Sequence, residues 1–166
     1  MTRSNEPVNT RHRSLVLVAW ACCLAAAGPF AMEPEPMPTR HATGTFTVKM
    51  QPPDAAPASG SFLRLRGDKT FEGALQGTST SEMLASNGGD QPAGGYVALE
   101  RFTGALDGRS GSFIMQHSGT MSPKGMHIDV QVTPGSGTGD LAGLEGRLTI
   151  RIEGKQHFYD LEYTLP

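Results

Sequence analysis

The sequence predicts an all-β protein: a closed eight-stranded antiparallel barrel, preceded by an N-terminal signal segment. Three observations predict the barrel. From Thr39 onward, Thr, Val, Phe and Tyr recur in alternation with polar residues, the period-two pattern of half-buried strands. Glycine, 21 residues of the chain, separates these runs at regular intervals. From Thr39 onward no window of a dozen residues carries a helical stripe free of Gly or Pro.

The strands follow in order. "HATGTFTVKM" (41–50) puts Ala42, Gly44, Phe46, Val48 and Met50 on one face. "QPPDAAPASG" (51–60) is a loop. "SFLRLRG" (61–67) alternates Leu63 and Leu65 against Phe62, Arg64 and Arg66. "KTFEGALQGTSTSEML" (69–84) reads as one long strand with Phe71, Gly73, Leu75, Gly77 and Met83 on one face, its glycines marking sharp curvature. "SNGGDQPAGG" (86–95) is a loop. "YVALERFTGAL" (96–106) and "RSGSFIMQHSGTM" (109–121) flank Asp107-Gly108, and Asp-Gly between alternating runs is the strongest short-range hairpin signal. "SPKG" turns the chain again, and "MHIDVQVTP" (126–134), "GRLTIRIEG" (146–154) and "QHFYDLEYTL" (156–165) complete eight strands. That number suffices to close a small barrel whose interior holds side chains or one small ligand.

The segment ahead of the barrel has a different character. Arg3, Arg11 and Arg13 precede "SLVLVAWACCLAAAGPFA" (14–31), which carries no charge. A basic start, a short apolar run and small residues at its end form a secretory signal. The small-x-small site Ala25-Ala26-Ala27 places cleavage after Ala27, with Ala31 as second choice. An uncleaved anchor is the weaker reading, because the run is short for a span and Gly28-Pro29 interrupts its end. A lipoprotein site needs a Leu about three residues before the Cys; Cys22 has Ala19 there and Cys23 has Trp20. The expected organisation is a signal peptide at 1–27 (to 31 on the second choice), a Pro-rich linker at 28–40 containing "EPEPMP", and a barrel domain at 41–166. The expected location is periplasmic or secreted, or cytoplasmic if the true start is Met32 or Met37.

Cleavage has consequences for chemistry. Both cysteines, Cys22 and Cys23, leave with the leader, so the mature chain has no disulfide framework and no thiol chemistry. Removing residues 1–27 leaves 11 basic against 15 acidic side chains, a net charge of −4. No basic stripe survives, so nucleic acid is not an expected partner, nor is stable membrane insertion after cleavage.

The Asp107-Gly108 turn fixes a register in which Leu106 pairs with Arg109, Phe102 with Phe113, Glu100 with Met115 and Ala98 with His117. One face therefore carries Tyr96, Ala98, Glu100, Phe102, Phe113, Met115 and His117, with Glu100 diagonal to His117 and within reach of it. An aromatic-lined face with a Glu and a His is a candidate ligand pocket, and the two are candidate catalytic groups, an acid/base couple. The opposite face, with Val97, Leu99, Arg101, Ile114 and Gln116, is the alternative inward face. In that case Glu100 and His117 lie in water or at a subunit contact, and His117 is a structural residue.

Other candidates are weaker. His127 and Asp129 project from one strand face, but no third ligand stands at a recognisable spacing, so no metal site is expected. His157, Tyr159, Leu161 and Tyr163 share a face and read as core or pocket wall. In "GSGTGDLAGLEG" (135–146), Gly137, Gly139 and Ala142 fit G-x-G-x-x-A. That fingerprint needs a long helix and a parallel return strand, and Gly143 and Gly146 stop any helix within about a turn. The segment instead reads as a tight loop and one helical turn from Asp140, with Leu141 and Leu144 plugging a barrel end. No G-x-S-x-G element, P-loop or H-E-x-x-H is present, and no cofactor is expected.

Several stretches together resemble a known family. "HATGTFTVKM", "FEGALQGTSTSEML", "GYVALERFTGALDGRSGSFIMQHSGTM", "VTPGSGTGDLAGLEGRLTI" and "YDLEYTL" resemble the bacterial domain-of-unknown-function family 3224, in order and with similar spacing, from Thr39 to the C-terminus. The family is similar in fold to the allene oxide cyclase barrel, a calycin-like architecture, and the "GTG" loop also resembles that of dirigent proteins. The resemblance implies a closed eight-stranded barrel with a lined cavity, often oligomeric. It implies no reaction, and fold alone does not transmit one.

The expected function is binding of a small, mainly apolar molecule in the barrel. Tyr96, Phe102, Phe113 and Met115 would form the walls, and Glu100 and His117 would orient a polar end. The alternative is a cofactor-independent enzyme of the cyclase or isomerase type, in which Glu100 or His117 moves a proton. The second alternative is an oligomeric scaffold with a filled barrel and an apolar patch outside.

Overall fold

The computed structural model describes residues 35, 37–51, 62–88 and 91–166. The expected leader with its cleavage points and nearly all of the 51–60 loop lie outside these residues. Among the described residues, no helix is long and apolar enough to cross a membrane. The strands are β1 (Arg40–Gln51), β2 (Leu63–Gly73), β3 (Leu75–Gly88), β4 (Gln91–Leu106), β5 (Arg109–Ser122), β6 (Gly125–Val132), β7 (Glu145–Glu153) and β8 (Gln156–Thr164). Each pairs antiparallel with the next and β8 returns to β1, closing an eight-stranded barrel. The seam is narrowest between β6 and β7, which pair at Gln131↔Arg147.

The Asp107-Gly108 hairpin forms as the dipeptide predicts. Both residues take positive φ, 48° and 80°, as a type I′ turn requires. The register is Leu106↔Arg109, Phe102↔Phe113, Glu100↔Met115 and Ala98↔His117.

Two boundaries differ from expectation. The run 69–84 is not one strand: β2 continues through Gly67 and Asp68 to Gly73, and the chain turns at Ala74. Asp68 stays in the strand because its carboxylate accepts hydrogen bonds from Gln51 Nε2 at 2.7 Å and Thr80 Oγ1 at 3.1 Å. The turn sits where Gly73 takes φ 110°, a conformation open to glycine. There Ala74 N donates to Thr43 O and Ala74 O accepts from Asp107 N. Tyr159 clamps the same corner: its hydroxyl accepts from Leu75 N at 2.7 Å and donates to Glu72 O at 3.3 Å. Inward parity carries across the turn from Phe71 to Leu75, so alternation alone does not reveal it. The second difference is that β3 reaches Gly88 and β4 starts at Gln91, which shortens the expected 86–95 loop to a hairpin connection.

The barrel interior is packed at one end. Phe46, Phe71, Phe102, Phe113 and Tyr159 are all buried, with ring centroids 5.3 Å apart for Phe46–Phe71, 5.6 Å for Phe71–Phe102 and 5.0 Å for Phe102–Phe113. Burying rings of this size supplies much of the drive to fold. The end is stoppered by a short 3-10 turn, Gly139–Leu141, with Leu141 and Leu144 fully buried. The connector before the turn is laced to β5: Thr138 N donates to Ser112 O, and Ile114 N donates to Ser136 Oγ at 3.0 Å.

Candidate functional site

The hairpin register, together with burial, decides which face looks inward. Val97 and Leu99 are 57% and 56% exposed, whereas Ala98, Glu100, Phe102, Phe113, Met115 and His117 are buried and Tyr96 is half-buried. The alternative with Val97 and Leu99 inside is excluded. Tyr96, Ala98, Glu100 and Phe102 then descend β4 from the mouth to the packed end, and His117 stands beside Ala98 on β5.

These residues are not one pocket wall. Phe102 and Phe113 have no exposed surface and pack against each other. Met115 is likewise enclosed. Glu100 lies above them in a charged layer. Lys69 Nζ donates to Glu100 Oε2 at 2.5 Å, Ser79 Oγ donates to Glu100 Oε1, and His117 Nε2 stands 2.9 Å from Oε2. The His117 ring nitrogen lies close to the carboxylate, yet it makes no hydrogen bond among the described residues. Lys69 Nζ also sits 5.0 Å from the Phe46 ring centroid, a cation–π arrangement.

A carboxylate with no exposed surface is costly unless it is paired and hydrogen-bonded. Here burial alone would raise the Glu100 pKa; the His117 ring and the Lys69 ammonium outweigh it and hold the group at about 2. Glu100 is therefore ionised throughout the physiological range. A carboxylate that acidic is a weak base near neutral pH; it is suited to holding Lys69 and His117 in place. Higher on the strand, burial and the negative charge of Glu100 both raise the Tyr96 phenol above its ordinary pKa. The hydroxyl stays protonated and can donate a hydrogen bond.

Above this layer the barrel opens. A recess of about 220 Å³ is lined by Tyr96, Gly95 and Gly119 and by three methionines, Met83, Met121 and Met126. Gly119 has a specific part here: a Cβ at that position would come within 2.3 Å of the Tyr96 ring, so the ring lies flat over a residue without a side chain. Met121 and Met126 face each other across the β5–β6 hairpin and are 53% and 55% exposed. Flexible thioether side chains adapt to irregular apolar shapes.

Lys69 and Ser79 are absent from the sequence-derived set. Their signal was parity: Lys69 has the phase of Phe71, and Ser79 and Ser81 that of Leu75. Ending one expected strand at Gly67 and opening the next at Lys69 hid the first, since a Lys opening a strand reads as solvated. The weaker candidates stand apart from the cluster. His127 is exposed, and Asp129 is engaged by Arg147 Nη1 at 2.8 Å on the outer surface. His157 packs 4.9 Å from the Phe46 ring. Among the described residues, no three His, Cys, Asp or Glu side chains are grouped to hold a metal.

Comparison with known proteins matches this geometry to one family. The family model described as "Protein of unknown function (DUF3224)" matches residues 42–163. A crystal structure of a DUF3224-family protein with unknown function from Shewanella oneidensis MR-1 is similar, at 39% sequence identity and a TM-score of 0.71, over 78% of this chain and 99% of that one. No curated protein matches the chain.

Proposed function

The chain belongs to the DUF3224 family, and from the mouth of its barrel we propose that it binds a small, mainly apolar molecule there. The observation that carries the reading is the vertical order of the barrel: a Met- and Tyr-lined recess above a buried Lys69–Glu100–His117 layer. Apolar lining with a few convergent polar groups is the usual composition of a small-molecule site. In this reading the Tyr96 hydroxyl orients a hydrogen-bond acceptor on the ligand, and the His117 ring lies beneath it in the enclosed layer. Phe102 and Phe113 support the floor from below. The leader pattern supports a periplasmic or extracellular setting for this binding.

An isomerase-type reaction is the second reading. It is weaker for Glu100 as the proton-moving group, because a carboxylate held at about 2 accepts protons poorly at neutral pH.

The test is titration with N-phenyl-1-naphthylamine, an uncharged dye that fluoresces in apolar surroundings. The protein is expected to enhance its emission, and the double substitution Met121→Lys/Met126→Lys to abolish the enhancement. The outer-face substitution Leu99→Glu is expected to leave it unchanged. Equal enhancement by the wild type and the mouth variant would rule the mouth out as the site.

A further inference from the structure

One seam of the barrel is tied at a single point. β6 pairs with β5 along its whole length, and β7 does so with β8. β6 and β7 pair with each other only at Gln131↔Arg147. The connections explain the difference. Tight corners at Ala74 and Asp107-Gly108 tie β2 to β3 and β4 to β5 at the packed end, and those strands stay paired up to the mouth. β6 and β7 are joined instead by residues 133–144, which stopper the packed end and bond to β5. Toward the mouth from Gln131, the one link between them among the described residues is the Arg147–Asp129 ion pair on the outer surface.

Side-chain exposure follows the parting. The inward residues of β6 run from Val130, 1% exposed, through half-buried Ile128 to Met126, 55% exposed. Those of β7 run from Leu148, 4% exposed, through half-buried Ile150 to Ile152, 43% exposed. Continued from Gln131↔Arg147, the ladder would set Val130 against Leu148, Ile128 against Ile150 and Met126 against Ile152. All six are apolar. The two strands therefore part toward the mouth around an apolar cleft, with the polar side chains of His127, Asp129, Arg147 and Arg151 outside it.

The cleft is continuous with the mouth recess, because Met126 borders both. The recess alone is small. A cavity of about 150 Å³ holds benzene, so at that ratio a recess of about 220 Å³ holds about nine carbon atoms. A compact ligand ends there and leaves Ile128, Ile150 and Ile152 in water. A ligand that runs on into the cleft covers them, and each methylene fully buried tightens binding about fourfold.

We infer that the ligand of the mouth is elongated, with an unbranched apolar chain. Its hydrogen-bond-accepting end lies at Tyr96, and its chain passes Met126 into the β6–β7 cleft. The inference rests on the mouth being a binding site. A series of 1-alkanols from hexanol to dodecanol, displacing N-phenyl-1-naphthylamine from the full chain, tests it. Affinity is expected to rise about two- to fourfold per added methylene and to keep rising past about nine carbons. Ile152→Glu places a charge in the cleft and Ile150→Trp fills it. Both are expected to flatten the series beyond about nine carbons, whereas Leu99→Glu on the outer face keeps the wild-type slope. Each variant is read where its thermal melt matches the wild type. A wild-type series that levels off at about nine carbons, or a slope that neither cleft variant changes, overturns the inference and leaves the mouth as a site. A wild type that does not bind the dye overturns the mouth site and the inference with it.

Discussion

The ammonium of Lys69 lies 2.5 Å from the carboxylate of Glu100 inside the barrel, with 12% of the Lys69 side chain and none of the Glu100 side chain exposed. β2 and β4 are not neighbours; β3 stands between them. The pair therefore reaches across a strand through the interior, and Ser79 on that intervening strand donates to the same carboxylate. Three strands are tied to one charge.

This pair sets an acid sensitivity. Glu100 is held at about 2 in the folded protein against an ordinary value of 4.5. A folded-state pKa below the unfolded one gives stability that is complete above the unfolded value and is lost as pH falls toward the folded value. The loss should run from about pH 4.5 down to about pH 2 and amount to about 3 kcal/mol. Urea unfolding of wild type and Glu100→Gln over that window checks it; the variant's stability should lack this component of the pH dependence.

The costs of removing the two charges should not add. Glu100→Gln strands the enclosed Lys69 ammonium and is expected to cost about 3–5 kcal/mol. The double substitution Lys69→Met/Glu100→Gln should cost less than the two singles combined. Chemical denaturation of the three variants measures the coupling, and simple additivity would mean that the pair is not formed.

Tyr159→Phe isolates the clamp on the β2–β3 corner. It leaves the buried Leu75 N–H without its acceptor at 2.7 Å while keeping the ring. The expected loss is about 1–3 kcal/mol. Amide hydrogen exchange should show it as faster exchange at Leu75, ahead of any change in β5.

Gly111→Ala tests the stopper. A Cβ there would fall 2.0 Å from Thr138 O and 3.1 Å from Leu141 Cγ, so the connector that carries Leu141 must lift off β5. A loss of more than about 2 kcal/mol is expected. Thermal melting checks this, and an unchanged melt would mean that the connector is not held as described.

Much of this was legible in the sequence, for physical reasons that can be named. Asp107-Gly108 gave an unambiguous turn, and a turn of fixed length gives a register, so Ala98↔His117 and the shared face of Glu100 and His117 follow without further information. The β2–β3 corner was read only as curvature at Gly73 and Gly77, because Ala74 carries no turn chemistry of its own and the inward phase runs unbroken from Phe71 to Leu75. Its turn is enforced from Thr43, Asp107 and Tyr159, which lie far away in sequence. Lys69 was concealed separately, by ending one strand at Gly67 and opening the next at Lys69. The division of the inward face into packed floor and open mouth was also hidden. Phe102 and Tyr96 have the same phase on β4, and only the stagger of the closed barrel places one among Phe71 and Phe113 and the other among methionines.

The most direct test of the central claim is native mass spectrometry of the protein purified gently from its own host, before and after denaturation. The account predicts a small, mainly apolar molecule that leaves on denaturation. It should be absent from Met121→Lys/Met126→Lys and retained in Leu99→Glu. A molecule retained by the mouth variant, or a wild type that carries no added mass and takes up no N-phenyl-1-naphthylamine, would contradict it.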